Sequence, residues 1–413
     1  MNWATANSCL PIVSLLMKRT AIVHIGLEKT GSTAIQRWLS ANRLVLRKNG
    51  ILMPSSIGYP NHTKLVAACL DDGAIDNIKS YQLFATGYTE KAFRRHVFAA
   101  LQREIFSAHS DWRTLLISSE LISSRLSSAS QIERLLGQIQ PHVDRIRFVV
   151  FLRRQDQLAV SRFSSILRSG HSGFDDIFVD YSPANFYQLP DGRSVSDDLF
   201  FYDFENILAR FEGWPSTSIN AYFYGSCNPI QVFAGLLELG SYAEVIAHER
   251  HNLALSAEAQ YILSRLNAIK AVQFASGMRN DAYRRLQRRV EAEVLGKPRV
   301  VARSSAEEFL ERYVEMNSRV LSRYGVRGHG FSSDFSAYPE SVDYSVLPDQ
   351  TADCLAAYRR QAERLPDVEP LPGLLKYKLK RAKAFFVDSL RVGRNKTGTN
   401  LLASKSFVKD GAS

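Results

Sequence analysis

Paired cysteines are missing from this chain. Its four cysteines, Cys9, Cys69, Cys227 and Cys354, stand far apart with no C-x-x-C spacing. That argues against a disulfide framework and a zinc site, and it suits a reducing, cytoplasmic compartment. Long apolar runs are missing as well: no stretch reaches the roughly eighteen residues that a membrane-spanning helix needs. Residues 8–16 are apolar, but basic residues follow them rather than precede them, unlike a secretory signal. Residues 1–19 are expected to be a loose N-terminal extension, with Met17 a candidate start. No internal repeat is present.

Charge is short on the acidic side. The chain carries 52 Lys and Arg against 41 Asp and Glu, a net charge of +11. Most of that excess belongs to one tail. From Lys376 to Lys396, eight basic residues stand against a single acid, Asp388. The remainder is only mildly basic, so global nucleic-acid binding is not expected. Leu374, Leu375, Phe385, Phe386, Val387 and Leu390 interleave with the tail charges. A basic helix of that kind can lie on an anionic membrane surface. Residues 374–413 are therefore a candidate for peripheral contact at the inner membrane face.

The most informative stretch lies between Thr20 and Asn49. A β-branched apolar run, Ala21-Ile22-Val23-His24-Ile25, leads to Gly26. The loop Leu27-Glu28-Lys29-Thr30-Gly31-Ser32-Thr33 follows, and then Ile35, Trp38, Leu39 and Leu46 recur near helical spacing. A strand, a glycine- and hydroxyl-rich turn and a helix together make an anion cradle. The first N–H groups of the helix lack internal partners, and its dipole is positive at that end. Lys29 adds a full charge; Ser32 and Thr33 add hydroxyls. Residue order argues against one common reading. A Walker-type P-loop, G-x-x-x-x-G-K-[ST], puts its lysine after the second glycine. Here Lys29 precedes Gly31. A P-loop kinase is therefore only an alternative, as is a non-catalytic nucleotide-binding or membrane-associated scaffold.

A second junction has the same form. Ile146-Arg147-Phe148-Val149-Val150-Phe151-Leu152 reads as a buried parallel strand. It ends at Arg153-Arg154-Gln155-Asp156-Gln157, and a helical pattern from Leu158 to Arg168 stops at Ser169-Gly170. Arg153 offers a planar fork of donors suited to a phosphate. Ser161, about two helical turns on, can add a hydroxyl from the same side. Arg154 and Arg162 read as exposed structural arginines.

The two junctions together resemble the PAPS-dependent sulfotransferases, in particular the bacterial carbohydrate-type branch. That family's 5′-phosphosulfate loop has the core Lys-Ser/Thr-Gly-Ser/Thr-Thr, matched here by Lys29, Thr30, Gly31, Ser32 and Thr33. Its 3′-phosphate pair, an Arg at a strand end and a Ser eight residues on, is matched by Arg153 and Ser161. The likeness covers about residues 20–170, with a thinner echo at 252–256 and 313–317. The chain lacks the C-terminal Arg-Lys-Gly…Gly-Asp-Trp-Lys segment of the animal cytosolic enzymes. Basic candidates for that side are Arg250, Lys297, Arg299 and Arg303. The resemblance implies sulfuryl transfer from PAPS to a hydroxyl or amine of a carbohydrate or lipid-linked glycan, with release of 3′,5′-ADP and no metal.

Such transfer needs a cation at the bridging oxygen, donors around the sulfate, and a base for the acceptor proton. Lys29 takes the first role. Glu120, after the apolar strand Thr114–Ser119, is the expected base; His62, in a loop-rich stretch, is the runner-up. His24 lies inside a strand and reads as a core residue. Tyr59, Tyr81, Phe84, Tyr88 and the segment 174–187 are candidates to line an acceptor site.

Helical and strand patterns alternate through Tyr224, which predicts an α/β fold: a P-loop-like, doubly wound parallel sheet flanked by helices. Its ligands would sit outside the carboxyl ends of the strands, where the Lys29 loop, Glu120 and Arg153 all fall. From about residue 252 the pattern turns mostly helical (257–271, 281–295, 306–324), as a cap or C-terminal subdomain. The expected organisation is an extension (1–19), an α/β domain (20–330), a loop-rich segment and linker (331–373) and the basic tail (374–413).

Overall fold

A computed structural model describes residues 18–366 of the chain, apart from 109–110, 176, 179–186, 189–200, 240–253, 275–277 and 329. Arg250, the basic tail, residues 1–17, residues 367–373 of the expected linker and most of the segment 174–187 lie outside the described residues.

Five parallel strands form the central sheet: β1 (Thr20–Gly26), β2 (Ile51–Leu52), β4 (Thr114–Ser118), β5 (Arg145–Leu152) and β7 (Thr217–Phe223), in the order β2-β4-β1-β5-β7. The short strands β3 (Ile75–Asp76) and β6 (Tyr187–Gln188) pair antiparallel as a separate ribbon. The sheet is covered on both faces, as near-continuous apolar strands require. Ala21, Val23 and Ile25 of β1 join Leu115, Ile117, Phe148 and Val150 on one face. Ile22 joins Leu116, Val149 and Phe151 on the other, under Ile35, Trp38 and Phe233. This is an α/β fold.

The connections leave the sheet on opposite faces. The helix leaving β1, Ser32–Ala41, packs on the second face. Helices that follow β4 (Leu121–Arg125 and Ala129–Leu136) pack on the first, as does the start of the helix after β5, through Leu158 and Ala159. The chain therefore parts in opposite directions at the carboxyl end of β1, between its two neighbours, where open α/β sheets accept ligands.

Some boundaries differ from expectation. The pattern after Gly31 is two helices, Ser32–Ala41 and Arg43–Lys48, separated at Asn42. The pattern expected over 306–324 is also two, Arg303–Glu311 and Val314–Tyr324. Their Phe309, Tyr313, Met316 and Val320 pack into the core of the sheet. Helices Ala257–Asn267 and Asp281–Glu293 build a separate apolar cluster with a third helix, Leu347–Arg364. That last helix lies inside the segment expected to be loop. Thr351, Tyr358 and Ala362 are buried along its inner face, and Pro348 opens its first turn, where its missing N–H costs nothing. Among the described residues no helix is long and apolar enough to cross a membrane.

Candidate functional site

The loop after β1 is shaped by its backbone. β1 pairs with β5 in register to His24↔Val149, then slips so that Gly26 faces Val150. Such a bulge re-aims the chain. Gly26 has φ 107°, and a Cβ there would lie 3.0 Å from the Cα of Glu120, so only glycine lets the loop pass beneath that residue. Lys29 has φ 61°, a left-handed conformation that costs a non-glycine residue about 1–2 kcal/mol. Gly31 ends the loop at φ 90° and caps the helix without any side-chain bond. The helix has no acid in its first turn, so its free N–H groups and positive end are unopposed.

The loop hydroxyls do something other than expected. Thr30 and Ser32 were candidate ligand donors, but both donate to the Leu27 carbonyl, at 2.7 and 3.0 Å. They are buried and brace the loop. Thr33 is exposed at the start of the helix.

Lys29 and Arg153 are brought together. Arg153 Nη1 donates to the Lys29 carbonyl at 3.2 Å, and its guanidinium lies 5.4 Å from the Tyr224 ring. Its buried Nε has no partner. Lys29 Nζ reaches Ser165 Oγ at 3.2 Å. Burial, then the charges of Arg168 and Arg153, hold the Lys29 ammonium below the ordinary lysine value. Burial also lowers Arg153. Among the described residues neither cation has a carboxylate within ion-pair distance.

Ser161 is half-buried on the helix Gln155–Arg168, one turn before Ser165 and so on the same face. Ser165 was not foreseen, although its i+4 spacing from Ser161 was visible. Tyr224 was not foreseen either. It and Pro229 lie 3.4 Å from where a Gly31 Cβ would be, and they wall the loop from β7.

Arg154 and Arg162 are structural, but buried rather than exposed. Arg154 grips both oxygens of Asp156 at 2.8 Å and donates to the carbonyls of Ser332 and Asp334. Arg162 lies 3.5 Å over the Phe201 ring and 4.0 Å from Glu28.

Glu120 stands at the carboxyl end of β4, as expected. Among the described residues no cation pairs with it. Gln36 Nε2 donates to Oε2 at 2.8 Å, and Asn61 Nδ2 donates to both carboxylate oxygens at 3.0 and 3.1 Å. Burial first, with the charge of Glu28 adding to it, holds this carboxyl above the ordinary glutamate value.

His62 is corrected from candidate base to structural pin. It is fully buried, Nδ1 accepts the Ser118 N–H at 2.8 Å, and Nε2 lies 2.8 Å from the Pro54 carbonyl. The two backbone partners fix the tautomer and leave no nitrogen to take a substrate proton. Burial lowers its pKa to about 4. His24 is likewise a buried core imidazole, lowered by burial to about 3. Both stay neutral in the fold while the unfolded chain protonates near an ordinary pKa of about 6.5. Stability from this source is therefore complete above about pH 6.5 and is lost as pH falls towards these lowered values. Denaturant melts over that range are expected to show the decline, and His62→Leu is expected to flatten part of it. A profile that stays level down to about pH 4 would contradict neutral burial.

The remaining candidates are occupied elsewhere. Arg299 is buried against Phe174 and donates to its carbonyl. Arg303 pairs with Glu340, and Lys297 is exposed. Tyr59 donates to the Ser40 carbonyl, and Tyr81 lies beneath Arg279. A small cavity of about 10 Å³ adjoins the loop, lined in part by Glu28, Ser123 and Arg162. A much larger one, about 680 Å³, lies by Arg43, Trp112 and β2, toward the amino end of β4 and away from this chemistry.

Comparison with protein-family models, curated proteins and solved structures finds no match to this chain.

Proposed function

We propose that this chain is a sulfotransferase that moves the sulfuryl group of PAPS to a hydroxyl or amine of a carbohydrate or glycolipid acceptor. One observation carries the reading. Lys29 and Arg153 converge on the carboxyl edge beside a helix start that no side chain caps, and among the described residues neither forms an ion pair, although the charges of Glu28 and Asp156 act on them from farther off. Two half-buried cations held so close are repelled unless an anion joins them. A nucleotide bearing a 5′-phosphosulfate and a 3′-phosphate would supply that charge at both ends.

The chemistry then follows. The acceptor O–H or N–H attacks sulfur, the bond from sulfur to the bridging oxygen breaks, and 3′,5′-ADP leaves. Lys29 stabilises the charge that grows on that oxygen. Thr33 and the helix N–H groups face the 5′ side, while Arg153, with Ser161, faces the 3′-phosphate. Glu120 takes the acceptor's proton. On this reading the sheet is P-loop-like and doubly wound, and the helices from 257 form a C-terminal subdomain. A lipid-linked glycan would suit a cytoplasmic enzyme whose basic tail touches the inner membrane face.

The test compares ligands on the full chain. Thermal stabilisation by 3′,5′-ADP is expected, with turnover of ³⁵S-labelled PAPS in a screen of acceptor glycans. Stabilisation by ATP with Mg²⁺ and none by 3′,5′-ADP would favour a kinase. Nucleotide binding without turnover across the screen would favour a scaffold.

A further inference from the structure

Three carboxylates among the described residues are held in three different ways. Asp156 is clamped by the Arg154 guanidinium. Glu104 accepts the N–H groups of Ser55 and Ser56, whose bonds pull its carboxyl below the ordinary value against its burial. Glu120 alone of the three is gripped by side-chain amides, from Gln36 and Asn61.

We infer that Asn61 and Gln36 are positioning residues, two neutral amides that hold the Glu120 carboxylate in place of a cation, ready to take the acceptor's proton. The inference rests on the transfer reading above. A guanidinium clamp would orient the group equally well, but its charge would favour the ionised form and weaken the base. Amides orient it by hydrogen bonds alone. Both are themselves fixed. Gln36 is buried on the helix that the Lys29 loop opens. Asn61 sits in a turn where a Cβ on Gly58 would come within 2.6 Å of the Asn61 carbonyl, and His62 next to it is pinned to Pro54 and Ser118. The runner-up base thus serves Glu120 through its neighbour.

The charged surroundings agree with this arrangement. Glu28 faces Glu120 from the β1 loop and raises its pKa, Gln36 and Asn61 are neutral, and His62 is held neutral and turned away. Gly26, beneath the Glu120 backbone, contributes no charge.

Titration of Glu120 by carboxyl ¹³C NMR in the full chain tests the clamp without requiring turnover. The variants are Asn61→Leu, Gln36→Leu and Gln36→Lys. The leucine variants lose donors to the anion, so the midpoint is expected to rise above that of the wild type. Gln36→Lys is expected to lower it, a pair of opposite shifts that unfolding cannot produce. In parallel, the acid limb of the PAPS transfer rate should move with each midpoint. At neutral pH, kcat should fall about tenfold or more in the leucine variants while 3′,5′-ADP affinity stays unchanged. An unmoved midpoint and pH profile in both leucine variants would overturn the clamp. Failure of the wild type to bind 3′,5′-ADP would instead overturn the transfer reading, and the titration would still judge the clamp.

Discussion

Replacing Lys29 with glycine is expected to abolish sulfuryl transfer without weakening the fold. The rate with labelled PAPS should fall by about 10²–10³-fold, the usual loss when one positioned charge or donor at a developing anion is removed. Stability should be no lower than in the wild type, for two reasons. Position 29 has φ 61°, which glycine adopts freely and lysine does not. The ammonium is also held in a site that burial and two arginines make unfavourable for its charge. A residue kept at such cost points to function. Wild-type kcat in this variant would remove Lys29 from the reaction. Lys29→Arg is not expected to rescue, because a planar fork does not replace a compact ammonium aimed at Ser165.

Arg153 and Arg154 are expected to separate cleanly although they are adjacent. Arg153→Ala should weaken 3′,5′-ADP binding by about 10–100-fold, the worth of charge-assisted hydrogen bonds of about 1.5–3 kcal/mol, and should leave the melting temperature nearly unchanged. Its guanidinium touches only the Lys29 carbonyl and the Tyr224 ring among the described residues. Arg154→Ala should instead destabilise the protein by about 3–5 kcal/mol, because it leaves the fully buried Asp156 carboxylate without its guanidinium, held by the neutral Tyr338 hydroxyl. It also frees the segment at Ser332 and Asp334. Isothermal titration and denaturant melts of the two variants measure the contrast. Equal nucleotide affinity in Arg153→Ala and the wild type would remove that assignment.

Several features were legible in the chain itself. Alternating apolar runs gave the parallel strands, because a strand covered on both faces must be apolar throughout. The loops at Lys29 and Arg153 were readable because strand–turn–helix junctions carry local residue signals. The helix Leu347–Arg364 could have been read from Leu347, Thr351, Tyr358 and Ala362, but the Gly-, Ser- and Pro-rich run before it masked the period. Gln36, Asn61, Tyr224 and Ser165 carried no local signal strong enough to mark them. Each matters only for what stands opposite it, and those partners lie far away in sequence.

The sequence by itself determined the α/β class, the strand–loop–helix junction at Lys29, its lysine order and the carboxylate after β4. These follow from local periodicity and residue type, which act over a few residues. Only the tertiary structure decided which of two adjacent arginines is ion-paired, that His62 is pinned by backbone groups at both its nitrogens, and whether the loop hydroxyls point out or in. Some of those choices depend on partners brought from distant segments, the Ser332 and Asp334 carbonyls for Arg154 and the Ser118 N–H for His62; others depend on how the folded loop turns on itself, which sets Asp156 against Arg154, Pro54 against His62 and the Leu27 carbonyl against Thr30 and Ser32. A buried polar group takes whatever partner the fold offers, because leaving it unpaired costs more than any local preference can repay.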